Sequence, residues 1–90
     1  MAEIRETITI INKLGLHARP AALLVQTASK FDAKIEIEND SVKANGKSIM
    51  GVMMLAAACG TDIIVTATGD DAEEAVAGIR ALIASKFDED

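Results

Sequence analysis

Apolar and polar residues alternate at the start of the chain and then change to a helical period. The isoleucines within residues 4–10 share one parity, with polar residues between them, which predicts a strand with one buried face. From Ala18 to Lys30, small and aliphatic residues recur at intervals of three and four, which predicts a helix. Pro20 is compatible with this helix only in its first turn, where a backbone N–H is not required.

The middle of the chain predicts a hairpin followed by a short helix. Residues 33–38 alternate as a half-buried strand, Asn39 and Asp40 supply a turn, and residues 41–44 are predicted to return as a short partner strand. Ser48 stands immediately before an apolar run, a position typical of a helix N-cap.

The last third of the chain predicts one more strand and one long helix. Residues 62–68 are rich in β-branched side chains, which favours a strand. The final helix is predicted to begin near Asp70, with Asp70 and Glu73 in the pattern of a capping box. Its apolar stripe comprises Ala72, Ala75, Val76, Ile79, Leu82 and Ile83. The order βαββαβα, with one apolar side on each strand, predicts an α+β open-faced sandwich in which three helices cover one face of a four-stranded antiparallel sheet.

The composition indicates a single domain over residues 1–90. Hydrophobic residues make up 50% of the chain, but only Phe31 and Phe87 are aromatic, so the core must be mainly aliphatic. Cys59 is the only cysteine, which excludes an internal disulfide and leads us to expect a small buried thiol. No leader-like segment opens the sequence and no apolar stretch reaches the ~20 residues of a spanning helix, so we expect a cytoplasmic protein that does not enter a membrane.

The charge balance is acidic, with a net charge of −5, which argues against nucleic acid as a partner. The carboxylates are unevenly distributed, because none falls within residues 7–31 or 41–61. These two segments contain the cations Lys13, Arg19, Lys30, Lys43 and Lys47. Either the segments are mostly buried, or they form a neutral-to-positive face for an anion or an acidic partner.

His17 is the only histidine, and three ordinary roles for it compete. A metal site is disfavoured because there is no second histidine and the one thiol is distant in sequence. A general base would need a carboxylate to orient the ring, and none is close in sequence. The third possibility is a partly exposed turn histidine without a role.

The neighbours of His17 favour a different role. It lies between a turn at Gly15 and the start of the first predicted helix, where backbone N–H groups attract an anion. Arg19 adds a fork of donors suited to phosphate oxygens, and Pro20 makes the first turn rigid. A neutral imidazole nitrogen is a competent nucleophile toward phosphorus. The combination fits a transient phosphohistidine better than metal binding or hydrolysis, and it requires no cofactor.

Two segments, residues 14–21 (LGLHARPA) and 45–53 (NGKSIMGVM), resemble the histidine phosphocarrier family HPr of the phosphoenolpyruvate-dependent phosphotransferase system. The resemblance implies that His17 accepts a phosphoryl group from enzyme I at Nδ1 and passes it to the IIA domains of sugar permeases, without being an enzyme itself. It also implies that Arg19 contacts the phosphoryl group beside Pro20. Ala18 offers that group only its backbone N–H.

The second segment carries two further expectations. Ser48 is an N-cap, and the resemblance adds phosphorylation by an ATP-dependent HPr kinase/phosphorylase, through which the chain could meet a transcription regulator. The short helix after Ser48 has more large apolar residues than one buried face holds. We therefore predict that Val52 and Leu55 lie in the core and that other residues of this helix face solvent. The resemblance implies that this helix docks the phosphoryl donor and acceptors, with Lys47, Ile49, Met50 and Met53 as the docking residues.

Alternative functions stay open at this point. The chain could be a regulatory phosphocarrier of a nitrogen-type phosphotransferase branch or a transcriptional co-regulator, or a ligand-binding domain without covalent chemistry. We expect a monomer. Residues 88–90 form an acidic tail to which we assign no contact with Arg19.

Overall fold

The chain forms a four-stranded antiparallel sheet with three helices, as the sequence pattern predicts. The computed structural model describes residues 2–88. The elements are β1 (Glu3–Thr9), α1 (Ala18–Ala28), β2 (Lys34–Glu38), β3 (Lys43–Asn45), α2 (Ile49–Met54), β4 (Asp62–Thr68) and α3 (Ala72–Ala84), followed by a short turn at Lys86–Asp88. The strand order is β1-β4-β2-β3.

Strand β4 lies inside the sheet and pairs on both sides. Ile63 is opposite Ile8 of β1, and Val65 is opposite Ile37 of β2. These four residues are buried, because their side chains point to the face that the helices cover. An interior position accounts for the high β-branched content that identified this strand in the sequence.

The core between sheet and helices is mainly aliphatic, as expected from the composition. Leu24 of α1, Val52 of α2 and Ile79 of α3 are completely buried. The one aromatic side chain at the centre is Phe87, which the turn after α3 folds inward. No helix in the described part of the chain is both long and apolar enough to cross a membrane.

The second strand of the β2–β3 hairpin begins later than predicted. The expected partner strand at residues 41–44 is observed at Lys43–Asn45. Asn39 explains the shift, because its Oδ1 accepts hydrogen bonds from the backbone N–H groups of Ser41 and Val42, each at 2.9 Å. The asparagine side chain thus binds the N–H groups of both residues within the turn, while the Val42 carbonyl still accepts the Asn39 N–H at 2.9 Å.

The predicted capping box at the start of α3 is wrong. The N-cap is Asp71 rather than Asp70, and its side chain makes no capping hydrogen bond. The Asp71 carboxylate instead accepts from the backbone N–H groups of Asp32 and Ala33, at 2.8 and 2.9 Å. A long-range contact that joins α3 to the start of β2 has therefore replaced the local cap.

Two other expectations need correction or fall outside the structure. Helix α1 ends at Ala28 rather than at Lys30, where the backbone tightens and the N–H of Lys30 bonds to Thr27 O. Cys59 is exposed rather than buried, because it lies in the turn between α2 and β4 and not on an inward-facing element. The last two residues of the acidic tail, 89–90, lie outside the described residues.

Candidate functional site

The loop between β1 and α1 packs tightly against the segment that follows α2. Gly15 has φ +71°, and a β-carbon there would overlap Ala57 O and come within 2.9 Å of the Ala58 Cα. The next residue, Leu16, donates its N–H to Ala57 O at 2.8 Å. The backbone conformation and the close approach both require glycine at this position. The packing of the loop therefore fixes the position of the residue after Leu16.

That following residue, His17, is the N-cap of α1. It has an extended backbone (φ −81°, ψ −171°) and is half-buried, and its carbonyl accepts the Ala21 N–H at 3.0 Å. Its own N–H donates to Gly15 O at 3.0 Å. The imidazole is therefore attached where the 11-residue helix begins, at the positive end of the helix dipole.

The residues after His17 complete an environment suited to an anion. Ala18 and Arg19 are exposed, and Pro20 is buried in the first turn of α1 as predicted. The first-turn N–H groups of Ala18 and Arg19 are of the kind that a helix leaves without intrahelical acceptors. No acidic side chain lies in this turn. Two amides, a guanidinium and the helix dipole therefore all favour negative charge beside the imidazole.

Helix α2 presents the second sequence segment beside α1, against which it packs. Ser48 is its N-cap, and the Ser48 Oγ accepts the Gly51 N–H at 3.1 Å. Val52 and Leu55 are buried, which confirms their predicted place in the core. Ile49, Met50 and Met53 are exposed by 46%, 75% and 42%. Their exposure fits docking residues, although docking itself stays a prediction.

Met54 belongs to the same surface and was missed in the sequence. It is 65% exposed and lies four residues after Met50, so the two side chains are neighbours on the helix. The four exposed apolar residues of α2 line one shallow groove. We call this the α2 apolar surface; it consists of Ile49, Met50, Met53 and Met54.

Lys47 is placed differently from the other predicted docking residues. Its Nζ donates to Phe31 O at 2.7 Å, and the side chain is half-buried. The ammonium therefore joins the start of α2 to the segment that leaves α1. A docking role for Lys47 remains a prediction.

Asn12 is a residue of this site that sequence reasoning missed. It is completely buried in the β1–α1 loop, and its Nδ2 donates to Gly15 O at 2.8 Å. The only signal in the sequence was an asparagine three residues before a glycine, a spacing typical of a side chain that closes a turn.

Known proteins resemble this chain over almost its whole length. The family model described as "PTS HPr component phosphorylation site" matches residues 4–85. The chain belongs to the HPr family. HPr proteins are phosphocarriers, which are non-catalytic components of the phosphotransferase system.

The relatives include proteins named HPr and proteins named NPr. Phosphocarrier protein HPr of Treponema pallidum is 46% identical over 94% of this chain and 97% of its own. Phosphocarrier protein NPr of Escherichia coli K12 is 44% identical over 97% of this chain and 98% of its own. A crystal structure of HPr from Thermoanaerobacter tengcongensis superposes with a TM-score of 0.90 at 54% identity, covering 100% of this chain and 99% of that chain. A dimeric form from the same organism, at 55% identity, has a TM-score of 0.77 and covers 99% of this chain and 100% of that chain.

Proposed function

We propose that His17 accepts a phosphoryl group from phospho-enzyme I and transfers it to IIA domains of sugar permeases. The observation that carries this proposal is the place of the only histidine, at the N-cap of α1 beside two first-turn amides and Arg19. In each transfer the lone pair of the accepting ring nitrogen forms a bond to phosphorus, and the bond from phosphorus to the donor breaks with its electrons staying on the donor. For release, a nucleophile of the next acceptor forms the bond to phosphorus, and the bond between phosphorus and the His17 nitrogen breaks with its electrons staying on that nitrogen.

Three neighbours assist the phosphoryl group in this proposal. Arg19 is exposed and offers guanidinium donors to the phosphoryl oxygens. Ala18 contributes its backbone N–H, and Pro20 keeps the first turn rigid so that these donors stay aligned. Because these hydrogen-bond donors are in place before transfer, the site needs little reorganisation when it receives the negatively charged phosphoryl group.

The experiment that tests the carrier function is labelling with phosphoenolpyruvate and enzyme I. We expect the chain to gain one phosphoryl group that is lost in acid, because a bond between phosphorus and imidazole nitrogen is acid-labile. The readout is intact-mass spectrometry before and after acid treatment. A chain that gains no phosphoryl group under conditions in which an authentic HPr is fully labelled would contradict the proposal.

A nitrogen-type branch is a second candidate, favoured by the similar identity of the HPr and NPr relatives. The two branches differ in their donor and acceptor proteins. Transfer rates from a sugar-branch and a nitrogen-branch enzyme I, measured side by side, separate them. Faster transfer from the nitrogen-branch donor would replace sugar uptake by a regulatory role.

The α2 apolar surface is the proposed docking site for these partners. It lies on the helix packed beside α1, within a part of the chain that has cations but no carboxylates over residues 41–61. Methionine side chains adapt to differently shaped partners, which suits a protein that must bind a donor and several acceptors. We expect partner surfaces with an apolar centre and acidic residues around it.

Met50→Ala should weaken docking without unfolding the protein. Because the side chain lies at the centre of the proposed interface, its truncation should raise the KM of enzyme I for this chain by about fivefold or more. The free energy of unfolding should change by less than about 0.5 kcal/mol. The matched control is Glu74→Ala, because Glu74 is an exposed, unbranched side chain on α3, outside both the α2 apolar surface and the loop before His17. Equal changes in KM for the two variants would show that α2 is not the docking site.

Regulation at Ser48 is part of the proposal. Phosphorylation would add about −1.5 to −2 charges at the start of α2, next to the apolar surface, and would repel an acidic partner. The Ser48 side chain is half-buried, so its hydroxyl combines a capping contact with partial access to solvent. A transcription regulator that recognises the phosphorylated form would be a further partner.

Ser48→Ala should have two separable effects. Loss of the cap lowers the free energy of unfolding by about 1 kcal/mol, measured by urea denaturation. An ATP-dependent HPr kinase should add an acid-stable phosphate to the wild type and to Ser41→Ala, whose exposed serine lies in the hairpin turn, but not to Ser48→Ala. Acid-stable labelling of Ser48→Ala at the wild-type level would refute this site.

The proposal treats the chain as a cytoplasmic monomer that acts without cofactor, nucleic acid or membrane. The net charge of −5 supports the exclusion of nucleic acid. Since a relative forms a dimer, the mass in solution needs to be measured. Light scattering over a range of concentrations should give the mass of one chain.

A further inference from the structure

Asn12 is a polar side chain in a place where polar groups are costly. It is completely buried, and a buried amide destabilises the fold unless it is hydrogen-bonded. Its Nδ2 donates to Gly15 O at 2.8 Å, and its backbone carbonyl accepts the Gly15 N–H at 3.1 Å. Asn12 therefore holds both the N–H and the carbonyl of the same glycine.

The Gly15 carbonyl is shared with His17. Besides the Asn12 amide, it accepts the backbone N–H of His17 at 3.0 Å. The orientation of this one peptide group thus sets where the His17 backbone begins. Glycine at φ +71° restrains its own backbone weakly, so side-chain contacts are needed to keep the peptide in one orientation.

We propose that Asn12 is a positioning residue for phosphoryl transfer, which acts by fixing the Gly15 peptide and through it the backbone of His17. The proposal rests on the proposed role of His17 as phosphoryl acceptor. Asn12 is not assigned any contact with the phosphoryl group. Its loss displaces the attacking nitrogen relative to the donor while the α2 apolar surface, which binds the partner, is unchanged.

The test measures turnover of enzyme I with the chain as substrate. For Asn12→Ala and Asn12→Asp we expect kcat to fall by about 10- to 100-fold with KM changed less than twofold, because a displacement of about 1 Å affects transfer and not docking. Asn12→Asp preserves the shape of the side chain, but the introduced carboxylate has no hydrogen to donate to Gly15 O. It should therefore lose at least as much kcat as Asn12→Ala.

The matched control is Asn39→Ala. Asn39 also donates its Nδ2 to a backbone carbonyl at 2.8 Å, that of Leu55, but lies in the hairpin turn. We expect this variant to lose stability without losing kcat. If kcat falls equally in Asn39→Ala and Asn12→Ala at the same folded fraction, or if neither Asn12 variant loses kcat, the inference is overturned.

Hydrogen exchange of side-chain amides in the wild type tests the inference even if the Asn12 variants do not fold. The Asn12 side-chain N–H should exchange with solvent at least tenfold more slowly than that of Gln26, an exposed amide on α1. Equal exchange would overturn the inference without any variant. If the wild type gains no phosphoryl group on His17, the proposed function fails instead, and slow exchange would then show only the hold on Gly15.

Discussion

His17→Ala should abolish phosphorylation by phosphoenolpyruvate and enzyme I. The variant removes the only imidazole in the chain, so no imidazole nitrogen remains to form the acid-labile bond to phosphorus. The fold should survive, because His17 is only half-buried, so its truncation leaves no enclosed cavity in the core. We expect a change of less than about 1 kcal/mol in the free energy of unfolding. Intact-mass spectrometry and urea denaturation measure the two quantities.

Ser48→Ala is the control for this experiment. It removes the other proposed phosphorylation site and leaves His17 in place, so it should gain the acid-labile group at the wild-type level. Acid-labile phosphate on His17→Ala would contradict the assignment of His17. Unfolding of His17→Ala would instead show that this residue has a structural role.

Gly15→Ala should produce the largest loss of stability among the glycine positions near the site. An alanine at φ +71° costs about 1–2 kcal/mol, and the overlap of its β-carbon with Ala57 O adds about 1–3 kcal/mol. The free energy of unfolding should therefore fall by about 2–5 kcal/mol, with a decrease in Tm of several degrees for each kcal/mol. Phosphoryl transfer by the folded fraction should fall too, because Gly15 sets the position of His17.

Gly60→Ala separates the two contributions. Gly60 also has a positive φ, +91°, but a β-carbon there would meet no atom within 4 Å. This variant should lose only the backbone contribution of about 1–2 kcal/mol and should transfer the phosphoryl group normally. Equal losses in the two variants would mean that the contact with Ala57 does not constrain the loop.

Much of the fold could be predicted because each element carries its own periodicity. Strand β4 is observed at Asp62–Thr68, as its β-branched content predicted, and α1 begins at Ala18 as predicted. These predictions depend only on the spacing of apolar residues within one element, which shows which side chains face the core and which face solvent. The predictions that failed concern side chains whose partners are distant in sequence. Asp71 bonds to Asp32 and Ala33, about 40 residues away, and nothing near Asp71 reveals this.

The site shows the same division. The place of His17 to Pro20 at the start of α1 could be predicted from these residues alone, because the N-cap and the first turn are formed locally. The exposure of Met54 and Cys59 could not, since apolar and small residues are compatible with either side of a short element. Asn12 was missed because its role depends on the backbone of Gly15, whose conformation is imposed by the packing of the loop on Ala57.

The sequence by itself determined the α+β class, the order of the elements, and a lone histidine at the start of a helix among cations without carboxylates. Local periodicity and local charge are sufficient for these features, because they require no knowledge of which segments meet. The tertiary structure decided which apolar residues of α2 stay exposed, that α2 packs beside α1, and that the loop before His17 is held by Ala57 and Asn12. These features depend on contacts between segments distant along the chain, and such contacts exist only after the core has formed.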